Sequence, residues 1–575
     1  MLLGVVGCLL AQQPTNYEIT FDKGNVNWQW VGKFNYRYFW RGWQIYLQES
    51  FQSNLYRGLT TAKNWKDLND FSFSLNRPVN HGLRWGLGIT SRILSDQTTR
   101  LRFNKHTVFQ QIQWQVTRGV TLTPRAGWSW EESFGFRDNG GYGGGELVVQ
   151  GVTIGGYETS ARWQGNYRSF PERKNRDVLL RTTFYRQFSP QASDSFSVVY
   201  SNALNRYYLS AAGALETVTL QEQGIRNVLN YSLTPYQQFQ IISRVQRRHL
   251  SITNPFNQNE RREVQILTRA YYHWQWKRGY WLFTFHTAQK VQDNTGVETD
   301  INSLQTGMGV ENRWQFAKQW NLTSRFRYTK YEFNTPDTVV NHDDRDEQRF
   351  IWNVALIWQY SSYLTLSLDG YAYWFHQIYI HRTRSANNNW NRIYRVRALI
   401  QHRPVSGMDH MIKVEILANY TVYDFDEILP TFRSYVFRKL IIADSLNWEW
   451  KSPLGFQLYY RFEKEDNGTF FKQLFAQQVS QEVVRHFVSA VLGYRTPPGI
   501  HISIGGNLYQ RNEWRFQPAR QQTRAFLSLS PLIQLRYQRK GAIYVLLEYA
   551  PTRVTDFGVL TQQFSNARII LRYQF

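Results

Sequence analysis

Apolar and polar residues alternate with a period of two along most of this chain. Phe350, Trp352, Val354, Leu356, Trp358 and Tyr360 occupy every second position of one stretch. Leu322, Phe326 and Tyr328 alternate with Asn321, Thr323, Arg325 and Arg327, and Leu458, Tyr460 and Phe462 alternate with Gln457, Arg461 and Glu463. Ile500, Ile502, Ile504 and Leu508 stand opposite His501, Ser503 and Asn507. Successive side chains of a strand point to opposite faces, so each stretch predicts a strand with one apolar and one polar face. The chain ends in the same way, on ARIILRYQF. Ala567, Ile569, Leu571, Tyr573 and Phe575 alternate with Arg568, Arg572 and Gln574, broken only by Ile570. An open edge strand invites unwanted pairing. The tail therefore predicts a partner strand and a closed sheet.

The connections carry the second signal. Short turns rich in Gly, Pro and basic residues are expected near Arg41-Gly42, Arg77-Pro78, Arg118-Gly119, Gln150-Gly151, Pro190-Gln191, Thr234-Pro235 and Lys277-Arg278. Six more follow near Lys318-Gln319, Ser361-Ser362, Arg403-Pro404, Ser452-Pro453, Pro497-Pro498 and Arg539-Lys540. Longer polar loops are expected at 334–348, 381–389 and 467–482, and DNGGYGGG (138–145) reads as a flexible connection. Each short turn joins two strands, which gives about 26. A further strand around Tyr17–Phe21 would raise the count to 28, so the range is 24 to 28. The fold class is all-β, a single large antiparallel sheet closed on itself.

Composition decides the setting. Aromatic residues make up 17% of the chain, yet hydrophobic residues total 42% and mean hydropathy is −0.52. Past the first residues, no apolar run approaches the roughly 18 residues that a membrane-spanning helix needs. MLLGVVGCLLA, residues 1–11, reads as part of a secretory signal peptide. A second reading takes Val5-Val6-Gly7-Cys8 as a lipobox, with Cys8 lipidated. Under ordinary cleavage the only cysteine leaves with the signal, which removes disulfide and thiol chemistry.

Alternation throughout, a signal-like start, turns of unequal length and an aromatic tail together resemble a bacterial outer-membrane β-barrel protein. The resemblance covers residues 12–575 and identifies no subfamily. It implies a transmembrane barrel in the cell outer membrane, with short periplasmic turns, longer extracellular loops and outer-membrane lipid around it. It also implies that Tyr573 and Phe575 form the signal read by the barrel-assembly machinery. The C-x-x-C motif of some electron-conduit barrels is absent from the sequence, and so is a segment resembling a plug domain.

Charge adds a functional expectation. Lys and Arg number 67 against 43 Asp and Glu, a net charge of +24, and 51 of the basic residues are arginine. A soluble basic patch of the kind that binds nucleic acid is not indicated. Arg325, Arg327, Arg395, Arg397, Arg461, Arg524, Arg536, Arg568 and Arg572 fall on polar faces, which line the lumen of a barrel. They would make the lumen favour anions. Alternatively they pair with acids such as Asp369 and Glu463 and fill space.

No catalytic, cofactor or metal constellation stands out. His286, His376 and His501 fall on strands without a nucleophile pattern. NHDDRDEQ offers Asp343, Asp344, Asp346 and Glu347 but lacks the spacing of a calcium loop. The chain is expected to be a passive solute channel and not an enzyme. The alternative is a scaffold or conduit that surrounds or docks a periplasmic or lumenal partner protein for export, assembly or electron transfer.

Overall fold

A computed structural model describes residues 16–574 apart from 58–62, 99–100, 210–212, 297–298, 337–342, 429–433, 450–452, 498, 517–518 and 540–542. The residues 1–11 assigned to the signal, Cys8 and Phe575 lie outside the described residues. Twenty-eight strands of 8 to 20 residues form one sheet. Strands consecutive in the chain are neighbours in the sheet and run antiparallel, so the topology is a simple up-and-down meander.

The two ends of the chain close the ring. The first strand, Asn16–Lys23, pairs with the last, Val559–Gln574, from Asn16 opposite Gln574 to Lys23 opposite Ala567. Tyr573, which stands opposite Tyr17, thus lies in the seam. Thirteen hairpins supply 26 strands, and the two terminal strands complete the 28. An even count is required, because only then do the two ends meet antiparallel.

Among the described residues the short turns lie at or beside the positions expected, with one exception; Ser452, Pro498 and Lys540 lie outside the described residues. Arg41-Gly42, Arg118-Gly119, Pro190-Gln191, Lys277-Arg278 and Lys318-Gln319 each join two strands directly. Gln150-Gly151 does not. The strand Phe136–Ile154 runs through it with a shift of register between Val149 and Val152, and turns at Gly155-Gly156. A bulge and a turn both call for glycine at positive φ, and sequence alone does not separate them.

The same strand overturns a second expectation. DNGGYGGG is not a connection but part of Phe136–Ile154, paired with Val120–Ser133 throughout and with Tyr157–Ser169 from Gly141 onward. Its glycines permit close approach: a Cβ at Gly140 would stand 1.8 Å from the Ser169 carbonyl oxygen. The run has low strand propensity, and tertiary pairing overrides it. Residues 467–482 are likewise mostly strand, since Leu454–Phe471 and Ala476–Arg495 leave only 472–475 to connect them. The longest connections are 335–344, 380–388 and 424–434, all at the end opposite the thirteen short turns.

That second end also carries tight hairpins with unusual tips. Phe134, Phe475 and Phe557 have φ of 52°, 48° and 48°. A residue with a Cβ pays about 1–2 kcal/mol in this region, where Asn or Gly is the ordinary choice. Replacing Phe557 by Asn, before Gly558 at φ 79°, is expected to raise stability by about 1 kcal/mol, read as a higher urea midpoint for the membrane-inserted protein. An unchanged or lower midpoint would show that the exposed ring makes contacts worth the strain.

Candidate functional site

Register divides the sheet into two faces. On one lie exposed apolar residues such as Ile502, Ile504, Leu529 and Ile533. Near the short turns this face carries an aromatic band, in which Trp320 and Trp358 stack at 4.9 Å and Phe316 and Trp320 at 5.8 Å. The other face carries most of the charge. A closed sheet leaves no backbone edge unpaired, which hydrocarbon demands, and an aromatic band marks the membrane interface. The chain has the build of a transmembrane β-barrel.

No protein-family model matches the barrel. No curated protein matches it either. Solved structures do. The FrpB iron transporter from Neisseria meningitidis (F5-1 variant) is 8% identical, with 76% of this chain and 80% of that one aligned and a TM-score of 0.41. FpvA of P. aeruginosa bound to heterologous pyoverdines is 8% identical over 98% of this chain and 72% of its own, with a TM-score of 0.40. The outer membrane transporter YddB from Escherichia coli is 8% identical over 91% and 84%, with a TM-score of 0.39.

All nine arginines singled out in the sequence lie on the polar face, and most of them face a carboxylate. Arg325 reaches Glu311 at 2.7 Å and Arg397 reaches Asp369 at 3.0 Å. Arg524 lies 3.7 Å from Glu513 and 3.5 Å from Asp556. Arg568 pairs with Asp22 and Arg572 with Glu18, each at 3.2 Å across the seam. Arg461 pairs with Glu463, which also takes Lys439 at 2.9 Å and Arg485 at 3.2 Å. Glu465 completes that network through Lys439 at 2.8 Å and Arg485 at 2.5 Å. Arg395 lies over the Tyr371 ring at 5.3 Å, and Arg536 donates to the Gln534 side chain at 3.4 Å. Arg327 forms no ion pair among the described residues. Cross-strand pairs of opposite charge stabilise a sheet modestly, and like charges directly opposite destabilise it. Six of the nine are thus neutralised by a partner from another strand or an adjacent acid.

The most enclosed group is one that sequence reading missed. Arg173 is 2% exposed and sits in the connection between Tyr157–Ser169 and Lys174–Ser189. Its guanidinium donates to Asp138 at 2.5 Å, to Glu131 at 2.7 Å and to the Arg206 carbonyl oxygen at 2.9 Å. The rings of Phe170 and Tyr208 lie 4.6 and 5.5 Å from it. One side chain thereby ties together four stretches of chain. The motif gives no sequence signal, because its members are far apart and each is an ordinary polar residue.

The histidines have local roles. His376 stacks on Trp390 at 4.1 Å and lies 3.1 Å from Asp424. His501 contacts Ser503 at 3.3 Å. His286 lies over the Gly307 backbone, where a Cβ would come within 2.2 Å of the ring. In the acidic loop, Asp344 accepts from the Thr335 amide at 2.7 Å and from its hydroxyl, and lies 3.3 Å from His381. Burial pushes this carboxyl up, but those contacts outweigh it and hold it below the ordinary aspartate range. Asp344 is a turn acceptor. Asp346 and Glu347 belong to the strand Arg345–Gln359, and no three acidic, histidine or cysteine groups converge for a metal among the described residues.

Proposed function

We propose that the barrel is a passive solute channel, with the polar face as the wall of its lumen and unpaired arginines giving an anion preference. One observation carries this: among the described residues the chain is all wall. Every strand belongs to the one sheet, and the remaining helical element, Ser385–Asn387, spans three residues within a connection. No described segment is long enough to fill the interior. The aromatic band supports setting the short turns at a membrane interface, which we take as the periplasmic one. Tyr573 and Phe575 are proposed as the contact for the assembly machinery.

The width favours a second reading. Twenty-eight strands, spaced about 4.8 Å and tilted about 40°, make a circular ring about 55 Å across at the backbone. Barrels of 22 strands are already plugged. A partner protein seated in the lumen would meet the same requirement from outside the chain. Purified barrel in a planar bilayer separates the two. Conductance from the chain alone supports the channel, and a silent barrel that co-purifies with a stoichiometric partner supports the conduit.

A further inference from the structure

The polar face is neutralised unevenly, and one sector has arginines without acids. Arg226, in Leu215–Thr234, stands directly opposite Arg244, in Gln237–Asn254. The polar-face positions flanking this pair in register are Ser, Val, Gly, Ile, Gln and Leu residues and Arg269; none is acidic. Arg269 in turn faces His286, His286 faces Gly307, and Arg327 stands diagonal to Gly307 on the next strand. Arg226, Arg244, Arg269 and Arg327 are exposed, and none forms an ion pair among the described residues. Arg327 stands diagonal to Glu311, whose carboxylate Arg325 already holds at 2.7 Å.

Elsewhere the barrel resolves such conflicts. Arg162 also faces Arg181, but Glu146 lies 2.6 Å from Arg162. Arg485 faces Arg511, and Glu463, Glu465 and Glu513 surround the two. Like charges placed directly opposite cost stability, so the Arg226–Arg244 pair with Arg269, which has no acid beside it in register, is a standing penalty that a bound anion would relieve. The row crosses six neighbouring strands, which is about 24 Å at ordinary strand spacing. Guanidinium groups bind phosphate oxygens in a bidentate manner.

We propose that this row is a binding site for a small, multiply phosphorylated solute, with the Arg226–Arg244 pair and Arg269 holding successive phosphates. Gly307 leaves room for the His286 ring to lie flat in the same wall. The inference names the solute class of the proposed channel and rests on the polar face being the lumen wall. It places the selective groups in a sector other than the paired arginines read from the sequence.

Binding is measured apart from conduction. Inorganic tripolyphosphate is titrated against the full-length purified barrel in detergent, by calorimetry, with inorganic phosphate run alongside. The double variant Arg226→Gln, Arg244→Gln is compared with Arg524→Gln, which removes a paired arginine. Heat-modifiable migration confirms that each variant is folded. Tripolyphosphate is expected to bind more tightly than phosphate, and the double variant to weaken it at least about tenfold, since charge-assisted bonds are each worth roughly a decade. Arg524→Gln should leave it within about twofold. No binding by the wild type, or equal binding by all three proteins, would overturn the site. Binding by a barrel that does not conduct supports the site and rejects the open channel instead. If the double variant does not fold, Arg269→Gln replaces it with the same expectation and the same overturning result.

Discussion

Replacing Arg173 by Leu is expected to destabilise the barrel by about 3–5 kcal/mol, because it leaves Glu131 and Asp138 buried without their ion-pair partner. Both carboxylates are at most 9% exposed, and the guanidinium is their ion-pair partner in this pocket. The loss should be local at first. Hydrogen exchange would rise in Val120–Ser133, Phe136–Ile154 and the start of Lys174–Ser189 before the far side of the ring responds. Adding Glu131→Gln and Asp138→Asn to the variant should recover part of the cost, since neutral amides are far cheaper to bury than ions. A urea midpoint within the equivalent of about 1 kcal/mol of wild type for Arg173→Leu would show that water reaches the pocket and that the knot is ornamental.

Removing the first strand has a larger expected effect. Asn16–Lys23 is antiparallel to both Asn27–Trp40 and Val559–Gln574. Those two strands therefore run parallel to each other and cannot close the ring in the antiparallel manner of the rest. Deletion of residues 16–23 should leave two unpaired edges in a setting that tolerates none. The expected result is loss of heat-modifiable migration and of protease resistance in outer-membrane fractions, with export unaffected. The seam has few contacts to spare, with two ion pairs at 3.2 Å and a hydrogen bond from Lys23 to Ser565 at 2.9 Å beside its backbone ladder. Full retention of compact, protected barrel in the deletion strain would mean that the ring closes without this strand.

Much of the wall was legible in the sequence because period-two alternation is imposed by the pleat itself. Phe350, Trp352, Val354, Leu356 and Trp358 could share one face only together. The turns were legible for a similar reason, since pairs such as Arg41-Gly42 and Lys277-Arg278 interrupt the pattern where φ must change. What failed was glycine. In DNGGYGGG and at Gly151 it serves close strand approach and a bulge, functions that depend on a neighbour far along the chain. The phenylalanine tips failed in the opposite sense, because Phe134 and Phe557 give no turn signal and still turn the chain. Residues 467–482 looked like a loop because Asn467-Gly468 opens the stretch, yet a register shift absorbs it within the ladder.

The site was legible only as a face. Sequence placed the arginines opposite the apolar positions, but which arginines meet an acid is set by register between strands. Asp369 lies within 28 residues of Arg397, whereas Asp22 lies at the other end of the chain from Arg568. Arg226 and Arg244 drew no notice in the sequence, although their register leaves them facing each other.

Ion selectivity of the purified barrel tests the central claim most directly. Reversal potential is measured across a planar bilayer in a salt gradient, for wild type and for Arg226→Gln, Arg244→Gln. An open lumen walled by the polar face predicts steady conductance with anion preference at low salt, a preference that fades as screening shortens to roughly 8 Å at physiological ionic strength, and a clear reduction in the variant. A wild-type barrel that is silent, or that conducts without preference at every salt concentration, would contradict it.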